Sequence, residues 1–156
     1  MPQRVLDSID ELKALAGREI AVGDWVEITQ EHVDQFAEAT GDPQWIHVDV
    51  ERCRRESPFG TTIAHGFLTL SLLPMLTKAS LRIKQPFALT LNYGANRIRF
   101  TSPVPVGSRI RNRTTPLEVT EIEGGWQVVW KVVIEIEGRE KPAMVAETIS
   151  RFYAAK

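Results

Sequence analysis

Apolar and polar positions alternate along this chain in three different rhythms. From Ile63 to Thr77 (IAHGFLTLSLLPMLT) the apolar residues Phe67, Leu68, Leu70, Leu72, Leu73, Met75 and Leu76 occupy every phase of a helical period. A helix that is hydrophobic all round must be buried all round. It falls short of the roughly 20 apolar residues a membrane span needs. Thr61 or Thr62 is expected to cap it, and Gly66 falls in or near its first turn, where N–H groups lack intrahelical partners. Pro74 removes one hydrogen bond and should bend the helix or offset its second half.

Before this segment the rhythm is that of short amphipathic helices. Ser8, with Glu11 three residues on, reads as a capping box for a helix that buries Leu12 and Leu15 and ends at Gly17. Trp25, Val26 and Ile28 suggest a brief strand. Thr29 can cap a second helix, in which Val33, Phe36, Ala37 and Thr40 share a face and Gly41 is the C′ residue. Asp42-Pro43 stops that helix. The run from Gly41 to His47 (GDPQWIH) is then loop, and Asp49 to Glu56 is a further short helix.

After it the period becomes two. Leu89, Leu91 and Tyr93 alternate with Thr90 and Asn92, in a run that can continue to Phe100. Arg109, Arg111 and Arg113 alternate with Ile110 and Asn112. Trp126 to Glu137 sets Trp126, Val128, Trp130, Val132, Ile134 and Ile136 against Gln127, Lys131, Glu135 and Glu137, with Gly124-Gly125 before it as a hairpin turn. Met144 to Tyr153 is a last strand. Long strands and short turns imply an antiparallel sheet, and only this half of the chain can cover the apolar helix. The expected fold class is α+β, a hot-dog fold: one antiparallel sheet wrapped around a long central helix, with residues 1–156 as one domain.

Composition narrows the function. Nineteen basic and 20 acidic residues give a formal charge of −1, so no global field favours nucleic acid or a membrane surface. Cys53 is the lone cysteine and has no intrachain partner, which suits a reducing compartment. The first 15 residues carry acids within their apolar pattern and lack a signal-peptide core, so a cytoplasmic protein is expected.

Asp42 and His47 flank the loop that leaves the second helix. With ordinary pKa values of about 3.9 and 6.5, both can act as unprotonated acceptors near neutrality and hold one water between them. The plain alternative is that Asp42 caps backbone N–H groups and His47 is a half-buried structural histidine. His65 reads as a structural hydrogen-bonder and His32 as a solvated residue. Cys53, in the run Arg52-Cys53-Arg54-Arg55, has no base nearby and reads as inert.

Two stretches carry a family resemblance: Phe36 to Cys53 (FAEATGDPQWIHVDVERC), and Ser57 to Leu76, with its Ala64-His65-Gly66. Together they resemble the MaoC-like (R)-specific enoyl-CoA hydratases, in particular the NodN-like branch. Phe36, Thr40, Gly41, Asp42, Ile46 and His47 match that family's signature, and Leu91 to Arg111 resembles its later strand pair. Gln44-Trp45 departs from the Asn-Pro common there, and the bulk of Trp45 could narrow an acyl entrance. The resemblance implies hydration of a trans-2-enoyl-CoA to the (R)-3-hydroxyacyl-CoA, with Asp42 and His47 as the acid/base groups. The Gly66 N–H would be the oxyanion donor to the thioester oxygen.

No cofactor and no metal is called for by this chemistry. The implied partners are the acyl-CoA substrate and a second copy of the chain, as a homodimer, with neither nucleic acid nor membrane. The arginines at 52, 54 and 55 or at 109, 111 and 113 are candidates for the CoA phosphates, with a solvated face or a subunit contact as the plain alternative. Asn96 and Arg99 belong to the resemblance without an assigned role. Two other classes stay open. A hot-dog thioesterase would place an acid on or at the start of the central helix, where Ile63 to Thr77 has none. A non-catalytic acyl-CoA-binding protein would have little reason to keep Asp42 beside His47.

Overall fold

The computed structural model spans residues 1–156. Its main sheet is built from six strands: β2 (Ala21–Val22), β3 (Val26–Glu27), β5 (Phe87–Phe100), β6 (Arg109–Ile122), β7 (Gly125–Ile136) and β8 (Met144–Ala154). The order is β2-β6-β7-β8-β5, with β3 also on β6, and every neighbour is antiparallel. The sheet faces a helical segment in mid-chain, which is the expected hot-dog arrangement. Alternation along β7 holds as read: Val128, Trp130, Val132, Ile134 and Ile136 are buried, and Lys131 is exposed. They meet Leu68 and Leu76 from the helix and Ile110, Met144 and Ala146 from the flanking strands in one core. Burying each large side chain of this kind contributes about 1.5–3 kcal/mol.

The central segment departs from expectation in three ways. Its helix begins at Gly66 rather than Ile63, although it is divided near Pro74 as expected, into α5 (Gly66–Ser71) and α6 (Leu73–Ser80). The interruption follows from Pro74, which has no N–H for the Leu70 carbonyl; on either side Leu72 bonds Leu68 and Leu76 bonds Leu72. The helix is not buried all round, because Phe67 is 67% and Met75 48% exposed. Finally, neither Thr61 nor Thr62 caps it: His65 is the N-cap residue. The Thr62 hydroxyl instead donates to Gln30 at 2.6 Å.

In the first half, α1 (Ile9–Ala14) has Ser8 as its N-cap, but Glu11 accepts from the Asp7 N–H instead of closing the box on Ser8. Helix α2 (Gln30–Thr40) starts at Thr29 and ends on Gly41, whose φ of +70° is the left-handed conformation glycine tolerates best. His32 is not simply solvated, since its Nδ1 accepts the Thr29 N–H. The Gly41–His47 stretch is only partly loop, because α3 (Trp45–Val48) is a single helical turn. Helix α4 (Val50–Glu56) follows, capped by Asp49. Strand β1 (Arg4–Leu6) pairs in parallel with β4 (Leu81–Ile83), a pairing too short to leave a readable period. No helix is long and apolar enough to cross a membrane.

Candidate active site

Three short elements converge at the N-terminal end of α5. Asp42 follows the Gly41 cap of α2, where its N–H is held by the Ala37 carbonyl at 3.0 Å. His47 sits in the turn α3. Ile63 to His65 is an extended strap whose Ile63 N–H bonds the Ile46 carbonyl and whose Ala64 N–H bonds the Val104 carbonyl. The strap therefore ties α3 to the segment after β5.

His47 is buried, and its Nδ1 lies 2.7 Å from the Ile63 carbonyl. A carbonyl only accepts, so Nδ1 carries the proton and Nε2 keeps a free lone pair. Burial, which penalises the charged ring, holds its pKa below the ordinary value; the Ile63 bond and Asp42 oppose the shift only in part. Near neutrality His47 is thus an unprotonated base. Gln30 steadies this turn by donating to the His47 carbonyl at 2.8 Å while accepting from Thr62. The Asp42 side chain is 55% exposed, so its carboxylate faces solvent at the same corner.

His65 joins the pair. It is buried, its ring stacks on His47 with centroids 3.7 Å apart, and its Nε2 lies 3.0 Å from the Asp42 backbone carbonyl. One ring nitrogen from each histidine and one Asp42 oxygen fall within 4.8 Å of one another. Such a cluster invites the thought of a metal, but the rings are only 25° from parallel. Their in-plane lone pairs run side by side instead of converging as tetrahedral ligation requires.

Gly66 opens α5, and neither a carbonyl nor a side chain accepts its N–H. A side chain here would first meet protein. A Cβ at Gly66 would lie 2.7 Å from the Phe100 ring. That ring, at the end of β5, also meets Phe67 edge-on at 5.9 Å. Gln30, Thr62 and Phe100 were missed by sequence reasoning. Nothing in their local pattern separates them from ordinary helix, cap and strand residues, because their partners are 17 to 34 positions away.

The remaining candidates resolve plainly. Cys53 is fully buried, and burial, with Asp49 adding to it, pushes its thiol pKa up, as expected of an inert cysteine. Arg109, Arg111 and Arg113 are not free for phosphates: they pair with Glu137, with Glu135, and with Glu19 and Glu135 across neighbouring elements. Arg52 and Arg54 pair within α4, and Arg52 also covers the Trp45 ring at 4.1 Å. Arg99 lies on β5 and bonds only the Ile98 carbonyl.

A cavity of about 970 Å³ lies between the central helix and the sheet, lined among others by Leu70, Leu73, Ile98, Trp130 and Phe152. It does not include Asp42, His47 or Gly66. Leu70, its first helical residue, comes one turn after Gly66.

Residues 11–137, most of the chain, match the MaoC like domain. The chain belongs to the MaoC-like family. It is 49% identical to 3-hydroxyacyl-thioester dehydratase Z of Mycobacterium tuberculosis over 152 residues, covering 97% of this chain and 99% of that one. It is 41% identical to nodulation protein N of Rhizobium leguminosarum over 145 residues, covering 92% and 89%. Among solved structures, an (R)-hydratase from Pseudomonas aeruginosa superposes with a TM-score of 0.67 at 21% identity, covering 90% of this chain and 83% of that one. The last likeness concerns fold. The family assignment rests on sequence.

Proposed function

We propose that this MaoC-like protein hydrates trans-2-enoyl-CoA to (R)-3-hydroxyacyl-CoA, and catalyses the reverse dehydration. The observation that carries the reading is the cluster at the mouth of α5, where Ile63 fixes the His47 proton on Nδ1 and a His47 ring nitrogen lies within 4.8 Å of an Asp42 carboxylate oxygen. Two acceptors bridged by one tetrahedral water lie about 4.6 Å apart, given hydrogen bonds of about 2.8 Å. A separation within 4.8 Å admits such a water.

In the reaction, the water oxygen attacks C3 while His47 Nε2 takes its proton, and Asp42 orients the water through the second hydrogen. Charge develops on the thioester oxygen, where the free Gly66 N–H is the proposed donor. Delivery of the proton to C2 completes the addition, so no atom is lost and no co-reactant is needed. The cavity beyond Leu70 is the proposed home of the acyl tail, being largely apolar and one helical turn from the thioester position. The enzyme's names among its relatives and its match to the family support the same chemistry.

A homodimer is part of the proposal. Strand β5 is the sheet's outer edge for 14 residues and is exposed along nearly all of it, with Leu89, Leu91 and Tyr93 each about half exposed. A long apolar edge is a template for pairing, and a second copy pairing two-fold is the commonest closure. The unit proposed to pair is the whole chain, 1–156, acting in the cytoplasm, where its lone buried thiol would stay reduced.

The test mixes the protein with crotonyl-CoA and longer trans-2-enoyl-CoA esters and follows enoyl absorbance and free thiol together. Enoyl loss without thiol is expected. Thiol release would make it a thioesterase, a reading already weakened by the absence of any acid in α5 or α6. Neither signal at any chain length would leave a binding protein.

A further inference from the structure

We propose that His65 is a positioning residue of the catalytic corner: its Nε2–H holds the Asp42 backbone and its ring holds the face of His47. This inference rests on the hydratase reading and assigns a task to a residue that the reaction itself does not use.

The argument begins with the tautomer. The Asp42 carbonyl can only accept, so the bond at 3.0 Å puts the His65 proton on Nε2. Nδ1 is then a bare acceptor, and it is buried with no partner. A buried nitrogen without a hydrogen bond destabilises the fold. If His65 only filled space, a phenyl ring of the same shape would do so without that cost. The ring instead lies between Phe36, 5.0 Å away, and His47, 3.7 Å away, and spends its one donor on the residue whose carboxylate faces the water.

The second strand of the argument is the strap itself. Ile63, through its carbonyl, fixes the proton of His47; His65, two residues later, fixes Asp42. The intervening Ala64 is pinned to Val104, and Ile63 to Ile46. One tripeptide therefore sets the position of both acid/base groups and leads directly into Gly66. Its displacement would move all three together, and an error near 1 Å in such an array costs about a hundredfold in rate. The titratable groups facing the His47 ring are Asp42 and His65, and they act on it in opposite directions, His65 lowering its pKa.

Two variants separate positioning from filling. His65→Phe keeps the stack and loses the donor; His65→Gln keeps an N–H at similar reach and loses the ring. For His65→Phe, kcat should fall about ten- to a hundredfold with KM nearly unchanged, and His65→Gln should recover part of it. Nitrogen-15 NMR of the wild-type ring signals near neutrality should show His65 protonated at Nε2 and His47 at Nδ1, and His65→Phe should blur the second assignment. Unchanged kcat in both folded variants, or a His65 proton on Nδ1, would overturn the inference. If neither variant folds, the wild-type tautomers decide it. A wild-type protein that hydrates no enoyl thioester refutes the hydratase reading instead, and leaves the NMR result to judge the role of His65.

Discussion

The corner at the start of α5 and the edge strand β5 are built in opposite ways. At the corner hydrogen bonds within the chain fix the side chains in place: His47 to Ile63, His65 to Asp42, Gln30 to Thr62 and to His47. Along β5 one whole side of the strand has no neighbour, and large apolar side chains face outward. The contacts of the corner are made within one chain, whereas the edge has no neighbour on its outer side. The two regions touch at Phe100, the last residue of β5, whose ring closes over Gly66.

The hardest blow to the corner is to remove its acid/base groups. His47→Gln and Asp42→Asn should each lower turnover by about 10² to 10⁴, the range for general acid–base groups. Far-UV dichroism and the melting profile should stay close to wild type, since Asp42 is exposed and Gln retains a donor near Ile63. Steady-state rates with crotonyl-CoA check this, and near-normal turnover in either variant would strip that residue of its role.

Gly66 sharpens the comparison, because two variants share one obstacle. Both Gly66→Ala and Gly66→Pro bring a Cβ against Phe100, but only proline removes the N–H. Proline is tolerated in a first helical turn. The rate difference between them isolates the donor, and losing one oxyanion donor costs about 3 kcal/mol, or roughly a hundredfold. Equal rates would mean that the thioester oxygen is held elsewhere.

The edge can be broken separately. Leu89→Lys with Leu91→Lys places charges along the open side of β5, a device that blocks strand pairing. The wild type should sediment as a dimer at micromolar concentration and the double variant as a monomer. Because β5 ends on Phe100 beside Gly66, activity should fall with dissociation, and a fully active monomer would refute the shared assembly.

How much of this was legible beforehand follows the range of the contacts. The β7 alternation, the Thr29 and Gly41 caps and the Asp42–His47 pair are all local signals, and they survive in place. The Pro74 break in the central helix was legible, but its ends were not, because the apolar run continues through the extended Ile63–His65 strap and stops before the last helical turn. Phe67 and Met75 were assigned to a core because apolar residues fill every helical phase, yet both are exposed. The arginines of β6 read equally as phosphate ligands or as a solvated face, and the pairing with Glu135, Glu137 and Glu19 from other elements lies beyond the range of spacing. His65 was recognised as a hydrogen-bonder, but its partner, 23 residues away, cannot be read from spacing.

The smallest expected effect tests the buried half of the corner by pH. In the folded protein the His47 pKa lies below the ordinary 6.5, chiefly because burial disfavours the charged ring. Above about 6.5 both folded and unfolded states hold a neutral ring, and His47 adds no pH dependence. Below it the unfolded chain takes up a proton that the folded chain refuses until its own lower pKa is reached. The unfolded state therefore binds more protons in that window, and stability must fall as pH falls through it. Catalysis follows the same sign: the base form persists below 6.5, so the acidic limb of kcat/KM should lie under the value for a free histidine. Urea melts of wild type and His47→Gln between pH 8 and 5 check the first statement. The wild type should lose stability relative to the variant on acidification, by a modest amount. If the two curves stay parallel, His47 titrates alike in both states, and the burial that keeps it an unprotonated base is not at work.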